Sequence, residues 1–100
     1  MSKKNNWNEK DKASIKAIIV NMINQKHVFR DLGENGDLAK SFEIQNSREY
    51  VLGIFTGIVI NLFANYWVGE HEEGLRPEDL DYLYHKIATS YDLIRTGLFE

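Results

Sequence analysis

The sequence predicts an all-α fold, a small helical bundle of three long helices and one short helix. The middle of the chain holds the apolar run VLGIFTGIVINLFANYWV, which is long enough to form a core helix. The segments before and after this run carry apolar residues at helical spacing, and no pair of partner strands is evident. We therefore expect a single helical domain over residues 8–100, preceded by a flexible tail at residues 1–7.

The first long helix is predicted over residues 9–31. Asn8 is suited to cap it, and Glu9 and Asp11 lie in the first turn, where acids favour the positive end of the helix dipole. Apolar residues then recur on one stripe. Gly33 is expected to end the helix in a left-handed conformation.

A turn and the central helix come next. Residues 33–36, GENG, indicate a turn, because Asn-Gly accepts positive φ at both positions. Asp37 would then cap a short helix near residues 38–43, with an irregular segment or a short strand as the alternatives. Residues 46–49, NSRE, have the form of a capping box and predict that the central helix covers residues 47–69.

The last long helix is predicted over residues 77–97. Pro77 is favourable at a first helical position, and Gly97 is expected to end the helix. Large side chains follow at alternating steps of four and three, which is typical of a helix packed lengthwise on another. These side chains are Leu80, Tyr84, Ile87, Tyr91, Ile94 and Leu98.

Composition excludes several classes of function. The chain has 100 residues, 43% hydrophobic and 27% charged, as expected of a folded globular domain. It has no cysteine, which excludes disulfides and thiolate chemistry and fits a cytoplasmic location. Residues 1–50 contain nine basic and seven acidic residues, whereas residues 51–100 contain three basic and eight acidic residues. This balance argues against binding to duplex nucleic acid.

Sets of residues for catalysis are scarce. His27, His71 and His85 lie in three different segments, and none belongs to a known metal-binding pattern. Asp81 and His85 are one turn apart and would suit a small metal-dependent helical enzyme, but a site normally needs at least three protein ligands. We therefore predict no catalytic, cofactor-binding or metal-binding residues.

The strongest charged feature is an acidic cluster around the connection before the last helix. It suits docking of another protein with a basic surface, mimicry of nucleic-acid phosphates, or binding of a hard cation, although the spacing does not match a calcium loop. A solvated connection and a helix N-terminus also favour acids without any function. The predicted partner-binding residues are Glu70, Glu72, Glu73, Glu78, Asp79, Asp81 and the adjacent Tyr82.

Small residues recur at steps of four on the central helix, at Gly53, Gly57, Asn61 and Asn65. This pattern allows another helix to approach closely, either inside the bundle or across a homodimer. The apolar run also reaches the lower limit of a membrane span, which keeps a single-span protein as an alternative.

These observations predict a small non-enzymatic accessory factor, of a regulator, inhibitor or immunity type, that binds another protein through its acidic face as a homodimer. The alternatives are a membrane-associated immunity-type protein and the metal-dependent enzyme. A high content of Asn, Lys and Ile suggests an AT-rich genome of a bacterium, phage or plasmid.

Overall fold

The computed structural model describes residues 7–100, except for the side chain of Asn35. This part of the chain is all-helical, without strands, so the predicted fold class is confirmed. Its six helices are α1 (Glu9–Ile23), α2 (Lys26–Asn35), α3 (Asp37–Ser41), α4 (Ser47–His71), α5 (Pro77–Thr89) and α6 (Tyr91–Phe99).

The 25-residue helix α4 is the axis of the bundle. The Glu49 N–H donates to Asn46 Oδ1 at 3.0 Å, so the predicted N-terminal cap is present. The helix continues through Gly69 to His71 and ends where Glu72 adopts a left-handed φ of 58°. The predicted central helix is therefore correct, but its C-terminus lies two residues later than expected.

One row of α4 side chains at steps of four forms the centre of the core. Each member is at most 2% exposed: Val51, Phe55, Val59, Phe63 and Trp67. Helices α1 and α2 pack against this helix, and Leu83 of α5 and Leu98 of α6 complete the same core. The buried row thus holds all the long segments together.

The predicted first helix, residues 9–31, is two helices. After α1 the Gln25 N–H bonds to Met22 O at 3.0 Å, three residues back, and Gln25 has φ −104° and ψ 27°. This turn redirects the chain so that Phe29 packs edge-on against Phe55, with ring centroids 5.3 Å apart. The apolar stripe could not reveal the break, because its residues are buried on both sides of it.

The expected left-handed Gly33 and the turn at residues 33–36 are both wrong. Helix α2 runs through Gly33 to Asn35, and no glycine in the described part of the chain has a positive φ. A Cβ at Gly33 would lie 2.6 Å from Val51 Cγ2, so glycine is required by the close approach of α2 to α4. The short helix predicted near residues 38–43 is present as α3.

The last predicted helix, residues 77–97, is interrupted at Ser90. Ser90 Oγ and Thr89 Oγ1 both donate to the Lys86 carbonyl, at 2.9 and 3.1 Å. Such bonds compete with the helical ladder, and the chain bends between α5 and α6. Tyr84 and Tyr91, expected in the packed row, are 51% and 48% exposed.

Trp7 belongs to the core. Its side chain is 8% exposed, its ring stacks on Phe63 with centroids 4.6 Å apart, and its Nε1 donates to the Asp79 carbonyl at 3.3 Å. The flexible tail predicted for residues 1–7 otherwise lies outside the described residues.

Candidate functional site

A buried carboxylate, that of Asp11, joins the first turn of α1 to the C-terminal turns of α4. Asp11 is fully buried and accepts hydrogen bonds from the Asn8 N–H at 3.0 Å and the Tyr66 hydroxyl at 2.8 Å. His71 Nε2 lies 2.9 Å from Oδ2 and 3.1 Å from Oδ1 of the same carboxylate. Helix α1 is therefore fastened at its first turn to the C-terminal turns of α4.

The environment of this cluster changes the acidity of two groups. Burial raises the pKa of Asp11, but the hydrogen bonds from Asn8, Tyr66 and His71 outweigh burial, and the pKa lies below its ordinary value of 3.8. Burial raises the pKa of Tyr66, and the Asp11 hydrogen bond and charge add to that effect against an opposing hydrogen bond with Ser14. Asp11 is thus held in its charged form.

We expect the Asp11 cluster to make the protein labile to acid. Because the pKa is lower in the folded chain than in the unfolded one, the stability from Asp11 is complete above about pH 5. That stability is lost as the pH falls through 3.8 and then through the lower folded-state value. Urea titrations between pH 7 and pH 3 should therefore give a shallower loss of unfolding free energy for Asp11→Asn than for the wild type. Parallel curves would contradict this role.

His71 also packs on the aromatic core. Its ring stacks on Trp67 with centroids 3.8 Å apart, and the neighbouring Glu70 pairs with Lys10 at 2.8 Å. Among residues 7–100, Trp67 Nε1 is buried without a hydrogen-bond partner. Because the Asp11 carboxylate is fully engaged between α1 and α4, we interpret the cluster as structural.

The acidic residues predicted to bind a partner differ in exposure and in ion pairing. Glu70 and Glu73 already form ion pairs within the chain, Glu73 with Arg76 at 3.1 Å. Glu72 and Asp81 are exposed, and Glu78 is partly buried. The acidic surface that remains available is therefore smaller than the sequence suggested.

Two members of the predicted set serve the fold instead. Asp79 is fully buried, and its Oδ2 lies 3.4 Å from the Arg76 N–H, which caps the start of α5. The Tyr82 ring packs edge-on against Trp7, with centroids 4.7 Å apart, and is partly buried. The prediction that Asp79 binds a partner is therefore wrong, since a fully buried side chain cannot reach one.

In the described part of the chain, the candidate metal pair Asp81 and His85 has no third ligand beside it. Asp81 and His85 are both exposed on α5. Among residues 7–100, no group of three or more His, Asp or Glu side chains is arranged to hold a metal ion.

The small residues of α4 lie on the side opposite the buried row. We call Gly53, Gly57, Asn61 and Asn65 the outer row, and all four are exposed. A Cβ at Gly53 or Gly57 would meet no atom within 4 Å, so no helix of the described chain covers them. The sequence predicted close helix packing at these glycines, either inside the bundle or across a homodimer. Packing inside the bundle is not found there.

Apolar side chains flank the outer row on both sides. On one side Ile58 and Leu62 form a ridge, 37% and 41% exposed. On the other side a groove of about 490 Å³ runs between α4 and the α5–α6 segment. The residues that line this groove are Leu52, Gly53, Thr56, Gly57, Ile60, Ile87, Ala88, Tyr91 and Ile94.

Helix α4 also has the length and composition of a membrane-spanning helix. Its most apolar 18-residue window has a mean hydropathy of 1.7, and 28% of that window is buried. A core helix of a globular protein can have the same composition, so the uncovered outer side is the more informative property.

Comparison with protein-family models, curated proteins and solved structures found no match to this chain. Sequence reasoning missed the Asp11–Tyr66–His71 cluster, because Tyr66 and His71 lie 55 and 60 residues after Asp11. Only the first-turn position of Asp11 gave a local signal.

Proposed function

We propose that the protein is a non-enzymatic binding factor that forms a homodimer through the outer row of α4 and the adjoining groove. The observation that supports this proposal is the uncovered outer side of α4, where Gly53 and Gly57 leave room for another helix. Small residues at this spacing permit close helix contact. We also propose that the protein resides in the cytoplasm.

A second copy of the chain fits this surface because each copy carries both halves of the contact. The ridge at Ile58 and Leu62 lies on one flank of the outer row, and the groove lies on the other. When two α4 helices face each other in parallel about a twofold axis, each ridge meets the partner's groove. The Asn61 amides then face each other, as asparagines do in parallel helix pairs.

The expected dimer is of modest affinity. Helix α4 is about 37 Å long at 1.5 Å per residue, and one helix pair with its groove walls approaches the lower limit of about 1,200 Å² for a specific interface. We therefore expect dissociation in the micromolar range.

Sedimentation equilibrium tests this proposal. The wild type should be a dimer at about 100 μM, whereas Gly57→Lys should dissociate at least about 100-fold more readily, because two buried like charges would meet near the axis. Gly74→Lys is the matched control, since Gly74 also has open space around its Cα but lies outside α4. A monomeric wild type, or equal association of both variants, would contradict the proposal.

Membrane association is the second candidate, favoured by the apolar window of α4 and its small buried share. The two candidates differ in their response to lipid. Flotation with neutral phosphatidylcholine vesicles should leave the dimer in the lipid-free fraction. If the wild type floats and remains monomeric, the membrane function replaces the homodimer.

We propose further that the dimer uses its exposed acids to bind a basic surface of another protein. Asp79 is excluded by burial, and Glu70 and Glu73 are already paired within the chain. The exposed Glu72 and Asp81 are therefore the best placed residues.

Glu72→Lys with Asp81→Lys should abolish the salt-sensitive capture of that partner from an extract of the native host. The same reversal at two exposed acids elsewhere, Glu43 and Asp92, should leave capture unchanged. Equal capture by both double variants would contradict an acidic contact face.

A further inference from the structure

We propose that a second cavity, formed where α2, the start of α4 and the end of α6 meet, binds a phosphate-type dianion. The cavity has a volume of about 230 Å³, and Arg30, Arg48, Ser47 and Glu34 contribute its polar lining. Val51 and Phe99 provide an apolar wall. This site is separate from the outer row of α4 and does not depend on the homodimer.

Both arginines are held in place by the end of α6. Arg30 Nε donates to the Leu98 carbonyl at 2.7 Å, and the Arg48 guanidinium lies over the Phe99 ring, 5.1 Å from its centroid. Arginine stacks well on aromatic faces, which fixes the plane of the guanidinium. Two cationic groups are therefore positioned at one cavity by adjacent residues.

Neither guanidinium has an acidic partner among residues 7–100. The ion pairs in this part of the chain involve other residues, and Glu34 lines the cavity without pairing with Arg30 or Arg48. Two adjacent like charges without a counterion repel each other. A bound dianion would neutralise them.

A tetrahedral dianion fits this arrangement better than a carboxylate. Guanidinium groups bind phosphate and carboxylate oxygens in pairs, but a carboxylate offers one charge and two oxygens to the two arginines. A phosphate group offers enough oxygens for both arginines and for the Ser47 hydroxyl. The cavity is smaller than the roughly 300 Å³ of typical ligand pockets, so it suits the phosphate group with only a small part of its molecule.

NMR titration of the full chain with inorganic phosphate at constant ionic strength tests the site. We expect saturable shifts at the Ser47 and Arg48 amides, with acetate at least about tenfold weaker, as expected for loss of charge-assisted bonds. Arg48→Gln should weaken phosphate binding by about tenfold or more. Arg48 is exposed, so this change preserves the fold.

Two further variants separate a built site from a general charge effect. Arg95→Gln removes the same charge from an exposed position of α6 outside the cavity and should bind phosphate within about twofold of the wild type. Glu34→Gln removes the acid from the cavity and should tighten binding. Equal losses for Arg48→Gln and Arg95→Gln, equal binding of acetate and phosphate, or no saturable shift would each overturn the proposal.

Discussion

Replacing Phe63 by alanine is expected to lower the free energy of unfolding by about 3–5 kcal/mol, a large part of the stability of a domain of this size. Phe63 is fully buried in the middle of α4. Its ring stacks on Trp7 at 4.6 Å and contacts Tyr66 and Trp67 at centroid distances of 5.4 and 5.9 Å. The substitution would therefore leave a cavity where three aromatic rings meet.

Leu62→Ala is the matched control for this prediction. Leu62 is the preceding residue of the same helix but is 41% exposed on the ridge. In urea unfolding at low protein concentration, its truncation should cost less than about 1 kcal/mol. Similar losses for both variants would show that the buried row of α4 has been assigned to the wrong face.

Replacing Asp11 by alanine is expected to lower the unfolding free energy by about 3–5 kcal/mol at pH 7, as for other broken buried charge networks. The change leaves the Asn8 N–H, the Tyr66 hydroxyl and the His71 ring without their shared acceptor. It also removes the buried link between the start of α1 and the end of α4 and leaves only the exposed Lys10–Glu70 ion pair among the links described. Both losses act in the same direction.

The exposed residue Asp81 provides the comparison, because it is an aspartate on a helix with a solvated side chain. Asp81→Ala should change the unfolding free energy by less than about 0.5 kcal/mol. If Asp11→Ala unfolds at the same urea concentration as Asp81→Ala, the Asp11 cluster does not stabilise the fold.

Local sequence signals predicted the helices well where the caps are local. Asn8 and Asn46 cap α1 and α4 as expected, since a short polar side chain reaches a backbone N–H three residues ahead. The breaks at Gln25 and Ser90 were not predictable from periodicity. Apolar spacing continues across both positions. The interruption at Ser90 accompanies the hydrogen bonds from Thr89 and Ser90 to the Lys86 carbonyl, and the turn at Gln25 brings Phe29 onto the distant Phe55.

Glycine was the least predictable residue type, because its role depends on what lies opposite. Gly33 looks like a helix terminator in the sequence but lies inside α2 against Val51. Gly53 and Gly57 look like sites of close packing, yet nothing in the described chain approaches them. The missing side chain allows a close helix contact at Gly33, whereas at Gly53 and Gly57 it leaves an open surface.

The candidate surfaces were only partly visible in the sequence. The acidic cluster was evident, but the burial of Asp79 follows from its role in capping α5 beneath Trp7, 72 residues away. The cavity between Arg30 and Arg48 depends on α6 folding back over both residues. These contacts join segments that are distant in the sequence, so a local sequence pattern does not predict them.

Disulfide cross-linking can detect whether two copies pair in parallel through the outer row of α4. The chain has no cysteine, so a cysteine introduced as Asn61→Cys can form a disulfide only with the same residue of a second copy. We predict rapid formation of a covalent dimer under mild oxidation, and slow formation for Lys16→Cys on the exposed side of α1. Equally slow cross-linking at both positions would rule out a parallel homodimer through the outer row.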